Sequence, residues 1–259
     1  MTSITLAATN HDPDGRLYEQ TARMLPRLAG LFPQITVLLT STSQARSEAL
    51  LREAGCDTTR EPQPPGGLAK LGEPRRSVIR RALELGAGHV VFCDFDRMLH
   101  WAEHHPAELA ATLDQIAQHD FTVLARTPRA FASHPRCQRD TESTINTAFA
   151  AVSGLAWDTG AGARGLSRRA AEAILAGCSD TSVGVDVAWP LFLLRQGGFD
   201  VACIPTEGME FETADRFGDQ VAALGGLAAW IDRLDADPRQ WALRLDVARV
   251  EVESLFPFS

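Results

Sequence analysis

The chain has 259 residues, 45% of them hydrophobic and 22% charged, with a formal net charge of −8; that length and make-up can bury a sizeable core as one large globular domain or two small ones. The acidic balance argues against broad binding to nucleic acid or anionic membranes, and no uninterrupted apolar run approaches a membrane span. Cys56, Cys93, Cys137, Cys178 and Cys203 are scattered, odd in number and without a CxxC pair, which favours reduced thiols in a cytoplasmic protein over a disulfide frame or a zinc–thiolate site.

The amino terminus carries no basic stretch followed by a long apolar one, so no signal peptide is expected. Residues 4–8 form a predicted strand, ending in the polar turn cluster Thr9-Asn10-His11-Asp12-Pro13-Asp14-Gly15. Residues 18–31 carry Leu25, Leu28 and Leu31 at helical spacing. A second strand spans 35–39 and a second helix 44–54, begun at 41–43 and stopped at Gly55. This β-α-β-α alternation predicts a parallel sheet with helices on both faces. A Pro- and Gly-rich loop follows over 60–72, and Pro74 suits the first turn of a helix reaching about residue 85. Arg76 and Arg80 share a face of that helix; the face holds a diphosphate if it turns to the ligand edge and is a solvated basic surface if it does not.

The strongest signal is His89-Val90-Val91-Phe92-Cys93-Asp94-Phe95-Asp96. A short β-prone apolar run reads as a buried strand, and Asp94 and Asp96 fall at its carboxyl end, where open α/β sheets bind ligands. Two carboxylates this close repel each other unless a cation is near. A hard divalent ion carrying phosphate oxygens meets that need; the plainer reading is a strand followed by a turn, which Asp also favours.

His100, Trp101, His104 and His105 come next. They are read as exposed imidazoles in a loop entering a helix at Pro106, rather than as a metal cluster. A helix over 108–118 and a strand over 121–125 lead to residues 126–140, with Arg126, Arg129, Arg136 and Arg139. A long basic loop leaving the ligand edge predicts a lid or a clamp for an anionic acceptor, against a plain surface loop. Residues 141–152 form a helix. Gly160-x-Gly162-x-x-Gly165 has the form of a dinucleotide fingerprint but sits too late in the chain and lacks a clear preceding strand. Its small residues would instead let the backbone approach a ligand. Ser167 caps a helix over 168–176. Asp186 opens an apolar helix that ends at Gly197-Gly198; an acid there is also favourable by the helix dipole alone. A strand over 200–204, stopped by Pro205, precedes the acidic run Glu207, Glu210, Glu212 and Asp215. Residues 218–256 read as two helices divided at Asp237-Pro238, with Trp241, Leu245, Ala248 and Val252 as the packing face of the second, completing the core or a dimer contact.

In this order the features resemble the nucleotide-sugar glycosyltransferases of the GT-A fold, family-2-like and similar to polyprenyl-phosphate sugar transferases, over about residues 3–213. The resemblance rests on the opening β-α-β-α half with its polar loop, on Leu71-Gly72-Glu73-Pro74 leading the next helix, and on Asp94-Phe95-Asp96. It extends through Asp158-Thr159-Gly160 to Arg168 and through Gly184-Val185-Asp186. It implies an α/β, Rossmann-like fold with a mixed, mostly parallel central sheet flanked by helices. A transferase domain would span 1–217, with a helical extension over 218–259 packed on it.

The activity implied is metal-dependent transfer of a sugar from a nucleoside-diphosphate sugar to a hydroxyl acceptor, anionic if the basic loop serves it. Mn²⁺ or Mg²⁺ would sit on Asp94 and Asp96, with Glu212 completing the shell. The donor would contact Ala8, His11 and Asp12 in the first strand and loop, Gly72, Arg76 and Arg80 in the third helix, and Asp94. Gly160, Gly162 and Arg164 would line the sugar or acceptor pocket, and Asp186 would orient or deprotonate the acceptor hydroxyl. The chain departs from the pattern in having no histidine after His134 and one carboxylate, not two, at 185–186, which leaves the base and the stereochemistry open. A haloacid-dehalogenase-like phosphohydrolase shares Asp-x-Asp after an apolar strand, but near the amino terminus and with Thr or Val where Met98 stands. A nucleotidyltransferase would carry a Gly-rich, Arg-containing first loop, absent here. A sugar-nucleotide-binding protein without turnover is the non-enzyme alternative.

Overall fold

Alternation along two central strands sets the layers of the molecule. The structure is a computed structural model that describes residues 3–62 and 66–258; residues 63–65 of the expected Pro- and Gly-rich loop lie outside them. In β1 (Ile4–Asn10) and β4 (His89–Asp94), successive side chains point to opposite faces. Leu6, Ala8, Val91 and Cys93 face one core, with Leu25 and Leu28 of α1 (Tyr18–Leu31). Helices α4 (Phe95–His104) and α5 (Pro106–Ile116) cover the same side. Ala7, Val90 and Phe92 face the other, under α3 (Gly72–Glu84), α8 (Arg168–Gly177) and α9 (Val185–Gln196). A strand covered on both faces reads as an unbroken apolar run, which is why β4 was legible.

The sheet has seven strands in the order β3-β2-β1-β4-β6-β5-β7. The remaining strands are β2 (Gln34–Leu39), β3 (Asp57–Arg60), β5 (Phe121–Arg126), β6 (Arg164–Ser167) and β7 (Val201–Thr206). Every pairing is parallel except those of β6, which runs antiparallel to β4 and to β5. The chain leaves β1 outward through β2 and β3, then returns to β4 on the other side of β1. The strand order therefore reverses between β1 and β4, and a crevice forms at their carboxyl ends.

Several elements differ from expectation. His100 and His104 belong to α4, which begins at Phe95 directly after β4, and His105 is the junction between α4 and α5. The basic loop is short: α6 (Pro128–Ala132), capped by Thr127 Oγ1 accepting from Ala130 N, leads into α7 (Arg136–Ser153). Pro205 sits inside β7, which tolerates it as the edge strand of the sheet. After β7 come α10 (Gly218–Ala223), α11 (Leu227–Asp235) and α12 (Pro238–Glu253), three helices in place of two. Ala248 and Leu255 join Ile145, Phe149, Val187 and Leu191 in a third core, while Leu245 is 58% exposed and lies off the packing face. The five cysteines are free. Among the described residues no helix is long and apolar enough to cross a membrane.

Candidate functional site

A cavity of about 1000 Å³ opens where the strand order reverses. Ligand pockets commonly range from about 300 to 1000 Å³, so this one has room for a nucleotide-sized ligand. Thr9, Asn10 and His11 at the end of β1 meet Asp94 at the end of β4 and Asp96 just beyond it on the cavity floor. Arg75 of α3 and Glu212 and Arg216 of the segment after β7 wall one side; Thr59 and Arg60 of β3 line the other end.

Register brings the first two floor residues together: Thr9 is paired with Asp94 across the sheet, and its hydroxyl donates to Asp94 Oδ1 at 2.7 Å. Asp94 Oδ2 lies 3.7 Å from Arg75 Nη2, and two-fifths of the Asp94 side chain is exposed to the cavity. Asp96, in the first turn of α4, accepts from Arg97 N at its Oδ1 and from Arg216 Nη1 at its Oδ2, 3.2 Å away. Glu212 is held by Arg97 Nη2 at 2.9 Å. Burial and the charge of Asp96 push the Asp94 carboxyl up, against Arg75. Burial and the charge of Glu212 push Asp96 up, against Arg216 and Arg97. Both would be relieved by a cation, and the donors that Asp94, Asp96 and Glu212 bring to the cavity are all carboxylate oxygens, the type a hard divalent ion takes.

Asp186 is placed differently from the expectation of an acceptor base. Its Oδ2 accepts from Arg75 Nη1 at 2.9 Å and its Oδ1 from Arg164 Nη2 at 3.2 Å. The three side chains are almost fully buried, at 6%, 7% and 1% exposure for Arg75, Asp186 and Arg164. Both Asp186 oxygens are committed to guanidinium groups, so Asp186 aims Arg75 at Asp94. Glu251 of α12 is buried beneath this cluster; burial and the charges of Asp186 and Glu142 push its carboxyl well up, despite Arg75 and Arg164.

The other expected contacts divide sharply. His11 lines the cavity. Asp12 is buried, and its carboxylate accepts from the backbone N–H groups of Arg16 and Leu17, which orders the turn before α1. Ala8 is inside the first core. Gly72 N donates to Thr181 O, and a β-carbon at Gly72 would lie 2.7 Å from Ser182 O, so this glycine serves close packing against the segment before α9. Arg76 is turned away from the cavity: its guanidinium donates to the carbonyls of Leu175 and Cys178 at the end of α8, where a helix leaves acceptors unmatched. Arg80 is exposed and outside the cavity lining. Gly160 packs near Arg126 and Glu142, away from the floor, while Gly162 (φ +67°) borders it, since a β-carbon there would lie 3.4 Å from Arg75 Nη2 and 3.8 Å from Asp94 Oδ2.

Three of the four arginines of the basic loop, Arg126, Arg129 and Arg136, are matched internally, which takes them out of the expected anion clamp. Arg126 is completely buried between Asp158 and Glu142. Burial works against the Asp158 carboxylate, but hydrogen bonds from Arg126 and Asn146 outweigh it and hold its pKa at about 2. Arg129 is paired with Glu207 and Glu210, and Arg136 with Asp140.

Arg75, Arg97 and Arg216 were missed. Arg75 carries a signal that could have found it: Gly72, Arg75, Ile79 and Ala82 fall on the buried stripe of α3, and an arginine in such a stripe asks for a partner. The segment bearing Glu212 is anchored by Glu108, whose carboxylate accepts from Trp101 Nε1 at 2.9 Å and from the backbone N–H groups of Glu207 and Gly208.

No protein-family model matches the sequence, and no curated protein matches it. Solved structures do match. Glucosyl-3-phosphoglycerate synthase from Mycobacterium tuberculosis, in complex with Mn²⁺, uridine diphosphate and phosphoglyceric acid, covers 90% of this chain and 78% of its own at 16% identity, with a TM-score of 0.55. The same enzyme in complex with uridine diphosphate covers 96% of this chain and 80% of its own at 14% identity, with a TM-score of 0.56. A mycobacterial protein covers 90% and 74% at 15% identity, with a TM-score of 0.55. At such identities the likeness is one of fold. With its seven-stranded, mostly parallel sheet between two layers of helices, the chain has the GT-A fold that its sequence resembles.

Proposed function

We propose that this chain is a glycosyltransferase that uses a divalent cation to move a sugar from a nucleoside-diphosphate sugar to a hydroxyl acceptor. One observation carries the reading: Asp94, Asp96 and Glu212 converge with Arg75 and Arg216 on a single cavity at the carboxyl ends of β1 and β4. Asp94, Asp96 and Glu212 would hold Mn²⁺ or Mg²⁺, which when bound supplies Lewis-acid stabilisation of a leaving diphosphate. The end of the cavity lined by Thr59 and Arg60 suits the nucleoside. The structural neighbours complexed with Mn²⁺, with UDP-glucose and with phosphoglyceric acid support this donor chemistry and suggest phosphoglyceric acid as an acceptor to try.

In the transfer, the bond from the anomeric carbon to the diphosphate oxygen breaks with its electron pair going to that oxygen, a bond to the acceptor oxygen forms, and the acceptor hydroxyl proton passes to solvent water. Negative charge grows on the diphosphate. Arg75 and Arg216 are preorganised cations at the cavity, Arg75 through Asp186 and Arg216 through Asp96 and the His11 carbonyl, and such fixed charges act without reorganising. Asp186 acts on the transfer through Arg75, because its two oxygens accept from Arg75 and Arg164.

The test is a thermal-shift panel of nucleoside diphosphates and their sugars with and without Mn²⁺. A ligand at 100 times its Kd stabilises the folded state by about 2.7 kcal/mol. At least one nucleotide should raise the melting temperature only with the metal, and Asp96→Ala should abolish that rise. No shift with any nucleotide, or a shift that survives Asp96→Ala, overturns the reading.

A further inference from the structure

One helical turn beyond the acidic floor, α4 carries a second set of metal-ligating side chains that the cavity does not use. His100 and His104 are four residues apart and share a face of the helix. Their ring centroids are 4.4 Å apart. Asp215, from the 3-10 helix Thr213–Phe217, completes the group, and one ligand atom from each residue lies within 4.8 Å of the others. His100 is buried, whereas His104 and Asp215 are exposed, which leaves an open side for water.

The surroundings orient the ligands. His100 Nδ1 is 2.8 Å from Asp215 Oδ2, and its other ring nitrogen is 3.4 Å from Glu210 Oε1. A carboxylate on the far nitrogen of an imidazole is the usual partner of a metal-bound histidine, because it fixes the ring and raises its basicity. Gln20 Nε2 donates to Asp215 Oδ2 and to Glu103 Oε2, both at 2.9 Å, and steadies the acid from the α1 side.

We propose that His100, His104 and Asp215 form a second cation site, for zinc or a neighbouring late first-row ion, that fastens the 3-10 helix to α4. Two imidazoles and one carboxylate, with a fourth place for water, match the donor number and type that zinc prefers. The acidic floor offers only oxygen and suits Mg²⁺ or Mn²⁺, so ligand chemistry sorts the two ions. As zinc enters, the proton between His100 and Asp215 leaves to solvent. Arg216 follows Asp215 directly in the chain and reaches Asp96. A filled zinc site therefore steadies the side chain that faces the floor.

The experiment uses the full chain, stripped with a chelator and titrated with Co²⁺ as a coloured stand-in for zinc. The visible absorption of four-coordinate cobalt should grow to one equivalent and vanish on adding Zn²⁺. It should persist in Asp96→Asn and be lost in His104→Ala, whose exposed position leaves the fold intact by near-ultraviolet circular dichroism. Absence of the band, its survival in His104→Ala, or its loss in Asp96→Asn overturns the proposal, the last by assigning the ion to the acidic floor. Failure of nucleotide binding would leave the cobalt band untouched, so the two readings fall separately.

Discussion

Asp186 illustrates how a residue chosen for one role by its place in the chain acquires another by its neighbours. The sequence puts a carboxylate at a helix start; folding puts two guanidinium groups on it, one of them 111 positions away. Removing one member of a buried ion cluster leaves its partners uncompensated, at a cost of about 3–5 kcal/mol. Asp186→Asn should therefore lower stability by about that much in denaturant titration, and should weaken Mn²⁺-dependent nucleotide affinity because Arg75 loses its orientation. A free base would behave otherwise: its amide variant would keep the nucleotide affinity and lose only turnover. The acidic floor itself was legible, because Asp-x-Asp after a buried strand is a local pattern. Arg216 was not, since its contact with Asp96 spans 120 positions and exists only after the sheet has closed.

Among elements, those with a clean period were readable and those without were not. Helix α1 shows its apolar stripe and was found over Tyr18–Leu31. Strands β3 and β6 were missed because Asp-Thr-Thr-Arg and Arg-Gly-Leu-Ser have no apolar run; each owes its extended form to the strand beside it. Helix α4 was missed because it starts without a side-chain cap: Asp94, at the cap position, gives its Oδ1 to Thr9 instead. Helix α12 carries an ionisable side chain into the interior. Its Glu251 keeps a proton in the folded state above the ordinary glutamate pKa of 4.5, because burial and nearby acids oppose ionisation. The unfolded chain gives that proton up, so this residue makes stability fall as pH rises above the ordinary value. Glu251→Gln should remove that slope, giving a higher melting temperature than the parent at pH 8 and little difference near pH 4. A parent and variant whose melting curves shift in parallel with pH would show that Glu251 does not titrate between the two states.

At the scale of the molecule, three cores lie around one sheet, and the third depends on the C-terminal helix. Ala248 and Leu255 cover Ile145, Phe149 and Leu191, while Glu251 closes the cluster that steers Arg75 toward the cavity. The stretch expected as a helical extension packed on the domain of residues 1–217 thus reaches the residues that support the site. A chain ending at residue 236 would expose the third core. It should bind 8-anilinonaphthalene sulfonate and lose a single cooperative unfolding transition, as loosely packed states do; a truncated chain that melts as sharply as the parent would mean the remaining helices close that core unaided.

The anchor behind Glu212 has a consequence for how this chain can vary. A β-carbon at Gly208 would fall 1.8 Å from Trp101 Cδ1, inside the indole. Gly208 cannot acquire a side chain while Trp101 stands, and Trp101 is held by the same Glu108 carboxylate that binds the Gly208 backbone. The two positions are thus epistatic. Across descendants of this sequence, a larger residue at 208 is expected only together with an indole at 101 that has moved or been replaced.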